Sequence, residues 1–280
     1  MSKEFTKEDV IQNKKESIKL LNKLLEQYIN DPSEKHLKKA NLISYWLKDY
    51  VRMIDFEEEF DPTRNIAYKR GNIVKLNFGF NIGSEYGGLH YGIVLDNENN
   101  HNSPVITVIP LTSVKVGKEL HKNSVDLGNE IYRTLKLKYD TISKTLKEEQ
   151  EEIDKTIIAI SSLADMTSEA LENSKSQKNP AEQKKELEKA AKYLGIADKL
   201  EQSFRIKQQH NLEQQNYLKK IGEEITRMKE GSVALVNQLT TISKIRIYDP
   251  RNLRGVLAGV SLSKENMEKI NEKVKELYVF

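Results

Sequence analysis

The 280-residue sequence contains no cysteine, which excludes a disulfide framework and a thiolate metal site. It has no run of about eighteen apolar residues, the length that a membrane-spanning helix needs. Its N-terminal stretch is polar and has no apolar region of the kind found in secretory signal peptides. We therefore expect a cytoplasmic protein that does not associate with membranes.

Two common catalytic signatures are also missing. A His-Glu-x-x-His pair of zinc ligands does not occur, and His36, His121 and His210 lack the spacing of metal ligands. The glycines from Gly83 to Gly88 do not lead from a strand into a helix, so they form neither a P-loop nor a dinucleotide-binding loop. We expect no metal and no other cofactor. The net charge of +3 is too small to indicate nucleic-acid binding by itself.

Long helices are the first feature that the sequence does contain. It is 31% charged and 38% hydrophobic, a composition typical of solvated helices beside a conventional core. Apolar residues at helical spacing predict a helix over 7–30 and another from Ser33 to about Glu58, separated at Asp31-Pro32. They predict a pair of antiparallel helices at the N-terminus.

A second helical region lies in the middle of the chain. Apolar residues recur at helical spacing over about 130–176 and again over 181–228, with Asn179-Pro180 between the two runs. Gly195 is a candidate break in the second run. Two runs of nearly equal length around a turn predict an antiparallel, coiled-coil-like hairpin.

Between and after these helices the apolar pattern changes to that of short β-strands. Strands are predicted at 73–78, 91–95 and 105–111, separated by turns rich in glycine and asparagine. Because a meander of three short strands is only marginally stable alone, the later strands over 233–239 and 242–247 are expected to complete the core.

The predicted fold class is therefore α+β. A small barrel is joined to an N-terminal helical pair and interrupted by the long helical hairpin, and a helix from about Ser263 closes the chain. The predicted domains are 1–62 for the helical pair, 68–128 with 230–280 for the barrel and its C-terminal helix, and 129–229 for the inserted hairpin.

Several segments resemble, in order, the MazF/PemK/Kid family of toxins. They are 69–74, 83–88, 92–95, 103–104 and 109–113, followed after the hairpin by 231–244. The resemblance implies an SH3-like barrel that dimerises and cuts single-stranded RNA at short sequence motifs without a metal. It also implies a small antitoxin protein as partner, and a role in a toxin-antitoxin or phage-defence system.

The resemblance carries over to particular residues. The loop 83–88 matches the mobile loop beside the family's substrate groove, and Thr112 matches its active-site threonine or serine. His90 stands where the family has a catalytic arginine, and Tyr91 replaces the proline that follows. Histidine titrates near neutral pH and carries protons, whereas arginine is a permanent cation, so this exchange changes the chemistry.

We therefore predict that His90 acts as general acid or base and that Thr112 donates a hydrogen bond to the scissile phosphate. The fixed positive charge that the family arginine supplies must then come from elsewhere. The residues predicted to contact RNA through charge, hydrogen bonds or stacking are Lys69, Arg70, Ser84, Glu85, Tyr86, Ser113, Lys244 and Arg246.

Two alternatives remain open at the level of sequence. The same barrel is used by CcdB-type toxins, which bind a protein target, and loss of the arginine is compatible with a barrel that binds without cutting. The chain is alternatively a structural coiled-coil adaptor whose barrel is only a platform. The hairpin, in turn, either pairs between protomers, packs on residues 5–58, or recruits a partner or restrains the RNA groove.

Overall fold

The computed structural model of the chain describes residues 5–114, 117 and 119–279. It divides into two compact units, one formed by 1–111 with 235–252 and the other by 112–234 with 253–280. In the described part of the chain the elements follow in this order: α1 Lys7–Ile29, α2 Glu34–Phe56, β1 Ile73–Asn77, β2 Leu89–Val94, β3 Val105–Ser113, β4 Ser124–Asp126, α3 Glu130–Ser176, α4 Pro180–Arg227, β5 Ser232–Leu235, β6 Thr240–Ser243, β7 Ile247–Asp249 and α5 Lys264–Tyr278.

An antiparallel sheet forms the centre of the first unit. Strand β1 lies between β2 and β7, β2 also pairs with β3, and β3 pairs with β6. Both faces of β1 are covered, because the adjacent residues Ile73 and Val74 are both fully buried. The core residues of this sheet are Tyr68, Val74, Leu76, Phe78, Val94, Ile106, Val108, Ile242 and Ile247.

Helices α1 and α2 belong to the same unit. A capping box begins α1, in which the Thr6 side chain accepts the Asp9 amide and the Asp9 carboxylate accepts the Thr6 amide. Helix α2 buries Ala40 and Ile43, whereas α1 has no fully buried residue. The pair is joined near its turn, where the rings of Tyr28 and His36 stack at 5.0 Å. Helix α2 is therefore the better packed of the two.

The long helices α3 and α4 form most of the second unit and pack against each other. Their base is closed by paired backbone hydrogen bonds: the Leu127 amide donates to the Ser232 carbonyl, and the Ser232 amide donates to the Gly128 carbonyl, both at 2.9 Å. The ammonium of Lys138 donates to the carbonyls of Val256 and Ala258, which fastens α3 to the segment before α5. The hairpin is thus anchored at its base.

The structure confirms the predicted α+β class with a barrel-like sheet and a long helical insertion. The candidate break at Gly195 is wrong, because α4 continues through that residue as one helix. The predicted strand 233–239 ends at Leu235 and turns into a 3₁₀ helix, and a second 3₁₀ turn divides 242–247 into β6 and β7. The sequence also missed β4, which is only three residues long. The domain boundaries drawn from the sequence stay a prediction.

Among the described helices, none has both the length and the apolar character that crossing a membrane requires.

Candidate functional site

The glycine-rich loop between β1 and β2 is closed at its neck by backbone hydrogen bonds. The Phe78 amide donates to the Gly88 carbonyl at 2.8 Å, and the Gly88 amide donates to the Gly79 carbonyl at 2.7 Å. A Cβ atom at Gly87 would lie only 2.7 Å from the Gly79 carbonyl oxygen. Glycine is therefore required at position 87 by the close approach of the two arms of the loop.

Side chains hold the rest of this loop in shape. The Asn81 amide nitrogen donates to the Tyr86 carbonyl at 2.8 Å, and the Glu85 carboxylate accepts the Ile82 amide at 3.3 Å. Gln238, which lies in the 3₁₀ turn after β5, also contacts the loop. It accepts the Tyr86 amide at 3.1 Å and donates to the Ser84 carbonyl at 3.4 Å. The loop is fastened to the barrel at Tyr86.

His90 lies at the start of β2, opposite Leu76 in the register with β1. Its imidazole contacts the ring of Tyr86, with centroids 4.7 Å apart and planes tilted by 49°. Tyr86 is itself fixed, because its hydroxyl donates to the Leu111 carbonyl at 2.5 Å and its ring meets the edge of Phe78 at 5.5 Å. Tyr86 thus supports the imidazole from the side of the loop.

The electrostatic state of His90 follows from this packing. The residue is exposed at the surface, yet the groups around the ring remove part of its solvation, and this desolvation lowers the pKa of His90 below its ordinary value. The imidazole is therefore neutral at neutral pH. A neutral imidazole has a free lone pair and can accept a proton from a hydroxyl.

Thr112 and Ser113 end strand β3 and are both half-buried. They belong to the second unit. Directly after them, the Val114 amide donates to the Gly231 carbonyl at 3.2 Å. A Cβ atom at Gly231, whose φ is +78°, would lie 2.8 Å from a Val114 methyl, so the chain after β3 is held close to the start of β5.

The predicted cationic residues have different environments. The Lys69 side chain is exposed, and the Arg70 guanidinium donates to the Leu95 carbonyl. The Arg246 guanidinium donates to the Phe78 carbonyl at 3.3 Å and lies 5.1 Å from the centre of the Trp46 ring. Arg246 is therefore next to the neck of the glycine-rich loop.

Lys244 does not lie at the surface, contrary to its predicted role as an RNA contact. It is 0% exposed, and its ammonium donates to the carbonyls of Asn100 and His101 at 3.0 and 3.4 Å. The ammonium also lies 5.8 Å from the centre of the Tyr68 ring. Desolvation lowers the pKa of Lys244. Its position inside the barrel gives it a structural role: it holds the asparagine-rich turn between β2 and β3, which contains Asn100 and His101.

A groove of about 620 Å³ lies between the glycine-rich loop and helix α2. Helix α2 contributes Leu42, Tyr45 and Trp46 to one wall, and the loop provides the other. A second groove of about 430 Å³ runs on from Glu85 and Tyr86 to Arg246. Sequence reasoning missed the part of the N-terminal helices in this site, because Trp46 and its neighbours fit the apolar stripe of a helix equally well.

Among the residues that the structure describes, no group of His, Cys, Asp or Glu side chains is arranged to hold a metal ion.

Comparison with known proteins identifies one family. Residues 69–173 match the model of the PemK-like, MazF-like toxins of type II toxin-antitoxin systems. The matched segment includes the glycine-rich loop, His90 and Thr112, and it ends inside α3. No curated protein sequence matches the chain. The match supports the resemblance of this segment to the PemK-like, MazF-like toxins of type II toxin-antitoxin systems.

Proposed function

We propose that this protein is an endoribonuclease that cuts single-stranded RNA at short sequence motifs in the cytoplasm, without a metal. The observation that carries the proposal is the support of His90 by Tyr86 at the foot of the glycine-rich loop, inside the segment that matches the toxin family. His90 follows Gly88 and Leu89 in the chain, two residues that line the groove of about 620 Å³, and we propose that its neutral imidazole acts on RNA bound beside the loop.

The chemistry follows from a neutral imidazole. In the first step His90 accepts the proton of a ribose 2′-hydroxyl, and the 2′-oxygen attacks the neighbouring phosphorus. The bond from phosphorus to the 5′-oxygen then breaks, that oxygen takes a proton from solvent, and the protonated His90 returns to solvent the proton that it accepted. The products are a 2′,3′-cyclic phosphate and a new 5′-hydroxyl, so no water is consumed in this step.

The negative charge that develops on the phosphate needs fixed donors. Arg246 is the strongest choice for the missing arginine, because its guanidinium is held at the neck of the loop. Lys69 and Arg70 are proposed as further RNA contacts. Lys244 is buried and therefore has no contact with RNA in this proposal. Thr112 and Ser113 are proposed to donate hydrogen bonds to the phosphate.

We also propose the partners that this family implies, namely a small antitoxin protein and a second copy of the chain in a homodimer. A protein target in place of RNA is the second candidate function. The exposed apolar side chains of Ile82 and Leu89, which are 84% and 48% accessible, favour it, because apolar groups at a loop surface suit a protein partner.

The test is incubation of a long single-stranded RNA with the purified protein in a chelator, followed by mapping of the new 5′ ends. We expect discrete cuts that disappear with His90→Gln and Thr112→Val. His210→Gln on α4 is the matched control, since that histidine is also exposed and should leave cutting unchanged. Intact RNA with the wild-type protein would contradict the proposal and favour the protein-binding candidate.

A further inference from the structure

A further pocket lies in the first unit beside the C-terminal half of helix α2. It has a volume of about 470 Å³ and is formed by α2, the turns that follow it, and the segment around β7. Its walls combine guanidinium groups with aromatic rings. We call it the arginine pocket, and the side chains that define it are Arg52, Arg64, Arg251, Phe56, Phe60 and Tyr248.

The cations of the arginine pocket are available to a ligand. Arg52 and Arg64 have side chains that are each 78% exposed, and each meets a neighbouring carboxylate only at 3.8 Å. Exposed ion pairs at this distance are weak. Arg251 is more rigid, because its Nε donates to the Ile247 carbonyl at 2.5 Å and its guanidinium lies 5.8 Å from the centre of the Tyr248 ring.

The aromatic rings offer surfaces on which a flat group can stack. Phe56 and Tyr248 are 44% and 42% exposed, although both are large apolar side chains. Phe56 is kept in place by an edge contact with Phe60, whose ring centre is 6.3 Å away. Exposed rings beside arginines are the combination by which proteins bind the bases and phosphates of single-stranded nucleic acid.

Carboxylates in the same pocket narrow the class of ligand. Asp49 and Asp61 line it together with the arginines. A peptide that carries only acidic groups would be repelled by these carboxylates. A nucleotide instead offers a phosphate to the arginines, a base to the rings, and amino or imino groups that donate to a carboxylate.

The pocket also joins the groove beside the glycine-rich loop. Asp49 lines both cavities. Its carboxylate accepts hydrogen bonds from the Tyr248 hydroxyl at 3.1 Å and from the side-chain nitrogen Nδ2 of Asn77 at 3.4 Å. Helix α2 therefore contributes a wall to both cavities, which adjoin at Asp49. They offer neighbouring sites to successive nucleotides of one strand.

We propose that the arginine pocket binds a nucleotide of the single-stranded RNA substrate away from the cleavage position. The inference rests on the proposed function for its substrate class, and it assigns the N-terminal helices a role in holding the RNA. These helices precede the segment that matches the toxin family, which begins at residue 69.

The experiment compares the wild-type protein with the double variant Arg52→Gln/Arg64→Gln. Binding is measured by fluorescence anisotropy on a pool of random-sequence, fully 2′-O-methylated oligoribonucleotides, which cannot be cut. We expect binding about tenfold weaker, and a slope of log affinity against log salt that is shallower by about 1.4, or about 0.7 for each lost phosphate contact.

The matched control is Arg205→Gln/Arg227→Gln on α4. Those side chains are 74% and 67% exposed and pair with glutamates four residues earlier, so the control removes the same charge from a similar setting. A third variant, Phe56→Leu, removes the stacking surface without changing the charge. It should weaken binding of the oligoribonucleotide about tenfold with no change in the salt slope.

The outcomes separate the two proposals. If the wild-type protein cuts RNA and the double variant binds RNA as tightly as its control, the proposal for the arginine pocket is wrong and the ribonuclease proposal stands. If the double variant binds RNA more weakly than its control but the wild-type protein does not cut RNA, the ribonuclease proposal is wrong and the arginine pocket is supported as a nucleotide site. If the double variant loses binding of an oligoglutamate peptide and keeps that of RNA, the pocket binds an acidic protein segment and the inference is wrong.

Discussion

The ring of Tyr86 lies 4.7 Å from the imidazole of His90, and the Tyr86 hydroxyl is anchored on the Leu111 carbonyl at 2.5 Å. The same contact couples the glycine-rich loop to strand β2, because Tyr86 lies in the loop and His90 is the second residue of the strand. A residue of the loop therefore both orients the proposed base and sets how much water reaches it.

Tyr86→Ala is expected to lower the rate of RNA cutting at saturating substrate by about tenfold, because the imidazole loses the ring that orients it. Tyr86→Phe keeps the ring and loses the hydrogen bond to the Leu111 carbonyl, at a cost of about 1 kcal/mol in the free energy of unfolding. Single-turnover cutting rates and thermal unfolding of both variants measure the two effects. Equal rates for Tyr86→Ala and the wild-type protein would show that Tyr86 does not position His90.

The dependence of cutting on pH should show the lowered pKa of His90. In the proposed mechanism the neutral imidazole is the base, so the rate should stay high down to a pH below the ordinary value of 6.5 and fall beneath it. Tyr86→Ala admits water to the imidazole and should move this acidic limb upward, toward 6.5. The measurement is kcat/KM across the acidic and neutral range. An acidic limb above 6.5 in the wild-type protein would contradict the assignment of His90 as base.

Gly87→Ala should open the neck of the loop. The added methyl group meets the Gly79 carbonyl oxygen at 2.7 Å, so the backbone must move and the hydrogen bond from the Gly88 amide to Gly79 is lost or lengthened. We expect a loss of about 1–3 kcal/mol in the free energy of unfolding, together with slower RNA cutting.

The control for this change is Gly195→Ala in α4. No atom lies within 4 Å of a Cβ at that position, and the residue is inside a continuous helix. Alanine should therefore stabilise the protein by about 0.5–1 kcal/mol. Denaturant unfolding of both variants checks the contrast, and a stable Gly87→Ala with normal activity would show that the neck tolerates a side chain.

Lys244→Ala should affect folding and leave RNA contacts alone. The change creates a cavity in the barrel and leaves the carbonyls of Asn100 and His101 without their charged donor. We expect a loss of about 2–5 kcal/mol in the free energy of unfolding. Lys69→Ala is the surface control and should leave stability nearly unchanged while weakening RNA binding. The measurements are denaturant unfolding and, at a temperature where both variants are folded, RNA affinity.

Shortening the hairpin tests whether it restrains the toxin. Glu149 and His210 face each other across the arms at 3.7 Å, so joining them through a short glycine linker removes 150–209 and keeps the base. The remaining base retains the bonds from Lys138 to Val256 and Ala258, and we expect it to stay folded. If the outer arms restrain cutting, the shortened protein cuts RNA faster than the full chain. Unchanged cutting by a folded, shortened protein would exclude restraint by this part of the hairpin.

The sequence alone determined the helices and most of the strands. Apolar spacing, Asp31-Pro32 and Asn179-Pro180 fixed where the helices run, because these signals act within a few residues of the chain. The resemblance carried by the loop and by Thr112 identified the family, which the match over 69–173 confirms. The roles of His90 and Thr112 are still predictions.

Tertiary structure decided the environment of each side chain. The local sequence around Lys244 is the same whether its side chain faces RNA or the core. The side chain is buried because the asparagine-rich turn folds onto it. The arginine pocket likewise assembles residues from 49–65 and 245–252, which are nearly two hundred positions apart in the chain. Burial, pKa shifts and pockets arise from such long-range packing, whereas helical period and capping are local, and a single sequence displays only the local part.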